Sequence, residues 1–301
     1  MNITKENKNA LTKMESVLSK NEVNIFGTAK DFSSSDFWYY TSVSTMNEIL
    51  KKEQIWVNSF GRMNDLNEAQ LHSDVKSDVF ALCFCNTRSE KIPMWYLYSG
   101  ICGKGIRMGL TPANMLSFIR SIDKIYPIDE SNNVSDEPIF IGQDFSIDCG
   151  WIFYRKDDGS IKFKGDWYNV EDIKAFEKDN YFVKDYPWEY EKEFRIIFKN
   201  NTGNDIGRIA IDVPPKIIKG LKLSYAPEVN LKEDIISLEG FQKYQMNNIK
   251  RSALAIKMNL ISKNRKDIIE NLKSYNDENT AKELCEAICS TNLCKRNKKE
   301  N

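Results

Sequence analysis

The chain of 301 residues carries 43 Lys and Arg against 43 Asp and Glu, so no global field draws it to nucleic acid, a membrane surface or an acidic substrate. With 41% hydrophobic and 29% charged residues it reads as an ordinary globular chain, long enough to bury a core without staples. MNITKENKNALTKMESVLSK shows no apolar segment behind a basic start, and no apolar run approaches the roughly 18 residues that span a bilayer, so the cytoplasm is the expected location, with no membrane partner.

Residues 1–30 read as a polar, weakly helical leader. FWYYTS (37–42) is a strand signal, and Thr45 with Glu48 predicts a capping box that opens a helix to about Lys52. IWVNSF (55–60) reads as the next strand, Gly61 as a turn, and Asn64 or Asp65 as the start of a short helix. VFALCFCN (79–86), continuously apolar between polar flanks, predicts a buried strand. Pro93 suits the first turn of a helix over PMWYLYS, GICGKG a flexible link, IRMGL a strand, and Thr111-Pro112 the start of a helix over ANMLSFIRSI. KIYPID is a short strand, 130–150 a long loop, and WIFYRKDDGSIKFKG a hairpin turning at Asp158-Gly159. A helix is expected over about 169–180. RIAIDV (208–213) is expected to pair with the acidic strand before it, and GLKLSY (220–225) is the last clear strand. From about Leu231 the spacing turns helical and ends in a charged, frayed tail.

The expectation is an α+β fold with mixed or antiparallel central sheets and flanking helices. A main domain covers 31–230, and a helical C-terminal appendage covers 231–301. No GxGxxG or GxxxxGK[ST] occurs, so Rossmann and P-loop readings have no support. Seven scattered cysteines favour reduced thiols over disulfides. Cys285, Cys289 and Cys294 fall near helical spacing without a nearby His, which favours packing over a zinc site. No metal is expected. The single His, His72, reads as a helix-surface residue.

PWEYEKEFRIIFK (187–199) reads as one strand. It would set Glu189, Glu191, Glu193 and Arg195 on one face, with Trp188, Tyr190, Phe194, Ile196 and Phe198 on the other. Carboxylates two residues apart on a strand lie about 7 Å apart, and at an effective dielectric near 20 they repel by roughly 2.4 kcal/mol. Inside a cleft that repulsion raises the pKa of one acid, so that one carries a proton while its neighbour stays ionised.

FWYYTS, NDLNE, CFC, MWYLYS…GKGI and WEYEKEFR occur in an order that resembles the bacterial domain-of-unknown-function family 2971 over roughly 36–225. Asn64, Asp65 and Glu68 match its acidic segment, with Leu66 in place of Pro. Cys85 replaces the Ser of its Cys-Phe-Ser strand. Trp95, Tyr98, Lys104, Gly105, Trp188, Glu191, Glu193 and Arg195 agree, and Glu189 is an additional acid. The order of parts is also similar to ADP-ribosyltransferases, although FWYYTS holds no His or Arg.

That likeness implies an NAD-using ADP-ribosyltransferase-like transferase, of the kind used as a toxin or in phage defence. Glu191 and Glu193 would be catalytic, and Tyr40, Asn64, Asp65, Glu68, Trp95, Tyr98 and Arg195 would bind substrate. NAD would be the substrate and no further cofactor is required; the acceptor, protein or nucleic acid, stays open. Arg62 or Arg195 would meet phosphate. Simpler roles stand beside these: Arg195 as the neutraliser of Glu193, Trp95 and Trp188 as core anchors, and Asn64 or Asp65 as a helix cap. The competing class is a non-catalytic module that binds a small nucleotide or a partner. In that reading the helical end over about 241–295 assembles with another protein, and Lys250, Arg251, Lys263, Arg265 and Lys266 touch nucleic acid.

Overall fold

Aromatic and β-branched side chains bring FWYYTS and VFALCFCN into one sheet, and the rest of the fold is arranged around that pair. The computed structural model describes residues 23–26, 35–62, 79–87, 90–98, 105–142, 144–163, 166–168, 180–226, 229–246 and 249–252. In chain order the strands are β1 (Val23–Phe26), β2 (Phe37–Ser42), β3 (Gln54–Asn58), β4 (Val79–Asn86), β5 (Gly105–Leu110), β6 (Lys124–Ile128), β7 (Ile139–Phe140) and β8 (Phe145–Trp151). They continue with β9 (Phe153–Arg155), β10 (Ile161–Phe163), β11 (Asp166–Tyr168), β12 (Val183–Asp185), β13 (Glu193–Asn200), β14 (Arg208–Asp212), β15 (Lys222–Tyr225) and β16 (Ile249–Arg251). The α-helices are α1 (Val43–Lys52), α2 (Ile92–Tyr98), α3 (Pro112–Ser121), α4 (Pro215–Lys219) and α5 (Glu239–Lys243). The fold is α+β.

The largest sheet runs β1-β8-β13-β4-β2-β5-β15-β16, with β11-β10-β9-β12 and β3-β14-β6-β7 as two four-stranded sheets. The large sheet is mixed: β1 lies parallel to β8, while β13 is antiparallel to both β8 and β4. The chain divides into two compact units, 1–250 and 251–301; of the second, only Arg251 and Ser252 are described. No helix among the described residues is long and apolar enough to cross a membrane.

Alternation along β13 splits its side chains between two cores. Phe194, Ile196 and Phe198 are fully buried on one face, where Phe194 meets Phe37 and Trp151 edge-on at 5.0 Å each. On the other face Ile197 joins Phe60, Tyr154, Tyr181 and Phe182 under the sheet that holds β9 and β12. Each such buried side chain contributes roughly 1.5–3 kcal/mol.

Several elements differ from the sequence expectation. Ser42, not Thr45, caps α1: its side chain accepts from the Thr45 N–H at 3.0 Å, so the helix starts at Val43. Val23–Phe26, within the expected helical leader, is a strand, and β8, Phe145–Trp151, occupies the end of the expected loop over 130–150 and the first residue of the expected hairpin. The segment 208–212 does not pair with the acidic strand but lies between β3 and β6. Among the described residues from Leu231 to Ser252 there are two short helical turns and β16, and α5 docks on α1, where the Gly240 N–H donates to Asn47. His72, most of the predicted helix over 169–180, Lys263, Arg265, Lys266 and Cys285, Cys289 and Cys294 lie outside the described residues.

Candidate active site

β2 and β4 are neighbours in the sheet, yet they pair only at Phe37–Asn86 and Trp38–Cys85. The opposite end of β4 is tied at Phe80 by a bridge to Ser59. Between those ties, Ala81 to Phe84 border a cavity of about 310 Å³ instead of a strand among the described residues. Trp38 to Thr41 of β2, Trp56 of β3, Arg62, and Met94, Leu97 and Tyr98 of α2 complete the walls. The cavity therefore opens where strands part, and its walls come from all three sheets, with Lys184 supplied by β12.

The expected row of acids is broken. Tyr186–Glu191 is a short 3₁₀ turn, and Lys192 follows with φ 47° before β13 begins at Glu193. Pro187 explains the break, because it has no N–H to give a ladder and its fixed φ suits the start of a helical turn. Glu189 is carried off to Lys162, at 3.3 Å, and to Lys192. Glu191 nevertheless arrives beside Glu193, by way of the turn rather than along a strand. Register sets the remainder: Glu193 stands opposite Cys85 and Arg195 opposite Cys83, and opposed residues share a face.

Four charged side chains meet at the floor, all nearly sealed from water. Arg195, 0% exposed, donates from Nε to Glu193 Oε1 at 2.6 Å and from Nη2 to Oε2 at 3.2 Å, with Nη1 on the Tyr181 carbonyl at 2.8 Å. Lys184 Nζ donates to Glu191 Oε2 at 2.7 Å and to Glu193 Oε2 at 3.4 Å. The Tyr98 hydroxyl donates to Glu191 Oε1 at 2.6 Å. Glu191, 2% exposed, is pushed up to about 7 by burial and by the neighbouring Glu193 charge, against the pull of Lys184. Burial acts on Glu193 in the same sense, but the Arg195 and Lys184 charges overcome it and hold that carboxyl well below the usual range. The pair is thus divided into one proton carrier and one fixed anion. Burial raises the Cys83 and Tyr154 pKa values well above their usual ones and pushes the Cys85 thiol up to about 12, so these groups stay neutral beside the acids.

A second charged group stands behind the aromatic wall. The Arg107 guanidinium lies 3.9 Å from the Trp38 ring centre, donates to the Tyr40 hydroxyl at 3.1 Å and pairs with Glu90 at 2.7 Å. Trp95 Nε1 donates to the same Glu90 at 3.3 Å, and its ring meets Tyr40 edge-on at 5.0 Å. Arg107 Nε is buried with no hydrogen-bond partner among the described residues.

Of the residues singled out in the sequence, Tyr40, Arg62, Tyr98, Glu191 and Glu193 line the cavity. Trp95 supports Tyr40 from behind, and Arg195 lies beneath Glu193, where it holds the carboxylate. Asn64, Asp65 and Glu68 lie outside the described residues. Lys184, Arg107 and Glu90 were not singled out. A lone Lys seven and nine positions before two acids was the available signal for Lys184. No group of three or more His, Cys, Asp or Glu among the described residues is placed to hold a metal ion. In comparisons with known proteins, no family model, no curated protein and no solved structure matches the chain.

Proposed function

We propose that the cavity binds NAD and that the protein is a cytoplasmic bacterial transferase of the ADP-ribosyltransferase type, serving as a toxin or phage-defence effector. The observation that carries this reading is Glu191: a buried carboxyl near neutrality at the floor of an aromatic-walled cavity, gripped by Tyr98 and Lys184. Trp38, Tyr39 and Trp56 offer faces for a flat pyridine ring.

In this reading the C–N bond to nicotinamide breaks and its electron pair leaves with the ring, while the fixed Glu193 anion steadies the positive charge that develops on the ribose. Ionised Glu191 takes the proton from the acceptor hydroxyl or amine as that atom bonds to the ribosyl carbon. The rate therefore rises as pH passes upward through about 7, the value to which Glu191 is pushed.

Incubation with labelled NAD and cell lysate tests this. Nicotinamide release or label transfer, lost at least about a hundredfold in Glu191→Gln, supports it; no release by the unaltered chain overturns it. A second reading, a nucleotide-binding module without turnover, is favoured by the Glu193 oxygens being engaged by Arg195 and Lys184. It predicts ligand affinity unchanged by Glu191→Gln and no product.

A further inference from the structure

Glu191 lies on the cavity wall yet is only 2% exposed, so water in the cavity scarcely touches its carboxyl. A group pushed up to about 7 nevertheless gains and loses a proton near neutrality. That proton needs a way out. Among the described residues two side chains hydrogen-bond the carboxyl: Tyr98 of α2 donates to Oε1 at 2.6 Å and Lys184 of β12 to Oε2 at 2.7 Å.

The two partners differ in what they can pass on. An ammonium has three donors and no acceptor, so Lys184, sealed and bonded also to Glu193, supplies charge but does not receive a proton as it gives one. A phenol hydroxyl has one donor and two acceptor lone pairs, so it can do both. Tyr98 is half-buried and lines the same cavity, and no donor among the described residues engages its oxygen. Burial and the Glu191 charge raise its pKa far above the ordinary phenol value, so a free tyrosinate is no intermediate and the two transfers are coupled.

The other titratable groups nearby offer no second path. Glu193 and Arg195 of β13 are bonded to each other, and the Tyr154 hydroxyl of β9 accepts from the Glu193 N–H. Burial keeps the Cys83 and Cys85 thiols of β4 neutral, and neither is hydrogen-bonded to Glu191 among the described residues.

We infer that Tyr98 is the proton conduit of Glu191: a proton leaving a donor in the cavity joins the Tyr98 oxygen as the Tyr98 proton passes to Glu191 Oε1, and the reverse sequence empties the carboxyl. One bond to hydrogen breaks on the donor and one on Tyr98, two O–H bonds form, Tyr98 ends neutral, and the negative charge moves from Glu191 to the donor. That the donor is the acceptor hydroxyl or amine of a ribosyl transfer rests on the NAD reading; the conduit itself rests on the geometry around Glu191.

The test follows the Glu191 carboxyl of the full chain by infrared absorption after a rapid pH jump from about 5 to about 8, on either side of its value near 7. Its C=O band is the one absent from Glu191→Gln. Loss of the proton is expected to slow at least about tenfold in Tyr98→Phe. In mixtures of light and heavy water the unaltered chain is expected to give a curved plot of rate against deuterium content, because two protons move together, and Tyr98→Phe a straight one. A rate unchanged or faster in Tyr98→Phe, a straight plot for the unaltered chain, or no Glu191 band at the acidic end overturns the conduit. Failure of the NAD reading shows separately, as absence of nicotinamide release from NAD, and the infrared result decides the conduit whichever way that falls.

Discussion

Lys184, Glu191, Glu193 and Arg195 bring together two carboxylates and two cations, each at most 5% exposed. Taking charges out of water is costly, and only near-ideal geometry offsets it, which the two-pronged Arg195–Glu193 contact supplies. Removing one member strands its partner. Arg195→Met is expected to lower unfolding free energy by about 3–5 kcal/mol in urea denaturation, while the double replacement of Arg195 and Glu193 by Met costs less than the single one. A fall under about 1 kcal/mol for the single variant shows that the guanidinium does not hold the carboxylate as described.

Among the elements, β5 shows how a missing side chain shapes the cavity wall. Gly109 stands directly opposite Trp38, and a Cβ there would come within 2.6 Å of the indole. The bare backbone lets the ring lie flat toward Arg107. Gly109→Ala is expected to displace Trp38, with a cost of about 1–3 kcal/mol and a shifted tryptophan emission; an unchanged spectrum at full stability refutes the close contact. Elements with strong local signals were legible in the sequence: FWYYTS is β2 to the residue, VFALCFCN is β4, and Thr111-Pro112 opens α3. β8 was not: FSIDCGW alternates apolar and polar residues as a strand does, but the Ser, Asn, Asp and Pro of the segment before it masked that period and read as loop. The pairing of β14 with β3, 150 positions away, leaves no local trace.

For the molecule as a whole, the acid pair sets how stability follows pH. Glu191 has a folded value raised from 4.5 to about 7, so the native state holds its proton more tightly than the unfolded chain. Stability is then highest for this group below about 4.5, and about 3 kcal/mol is lost as pH rises from there through about 7, where the loss is complete. Glu193, depressed, acts oppositely: its contribution is complete above the ordinary glutamate range and disappears as pH falls through the folded value. Urea midpoints between pH 5 and 8 are expected to fall with pH, and Glu191→Gln to flatten that slope; parallel curves contradict the assignment. The site was half visible in the sequence. The two glutamates and Tyr98 announced themselves through their pattern, whereas Lys184 and Arg107 meet their partners only through tertiary packing.

The two-residue ladder at Phe37–Trp38 is the direct pairing between β2 and β4 within the large sheet. Whatever fills the gap beyond it acts as a rung added to an unfinished seam, touching β2 on one side and β4 on the other. Occupancy would then be felt as stiffness across the sheet and not only as contact at the floor, so that the protein's rigidity and its ligand state become one property.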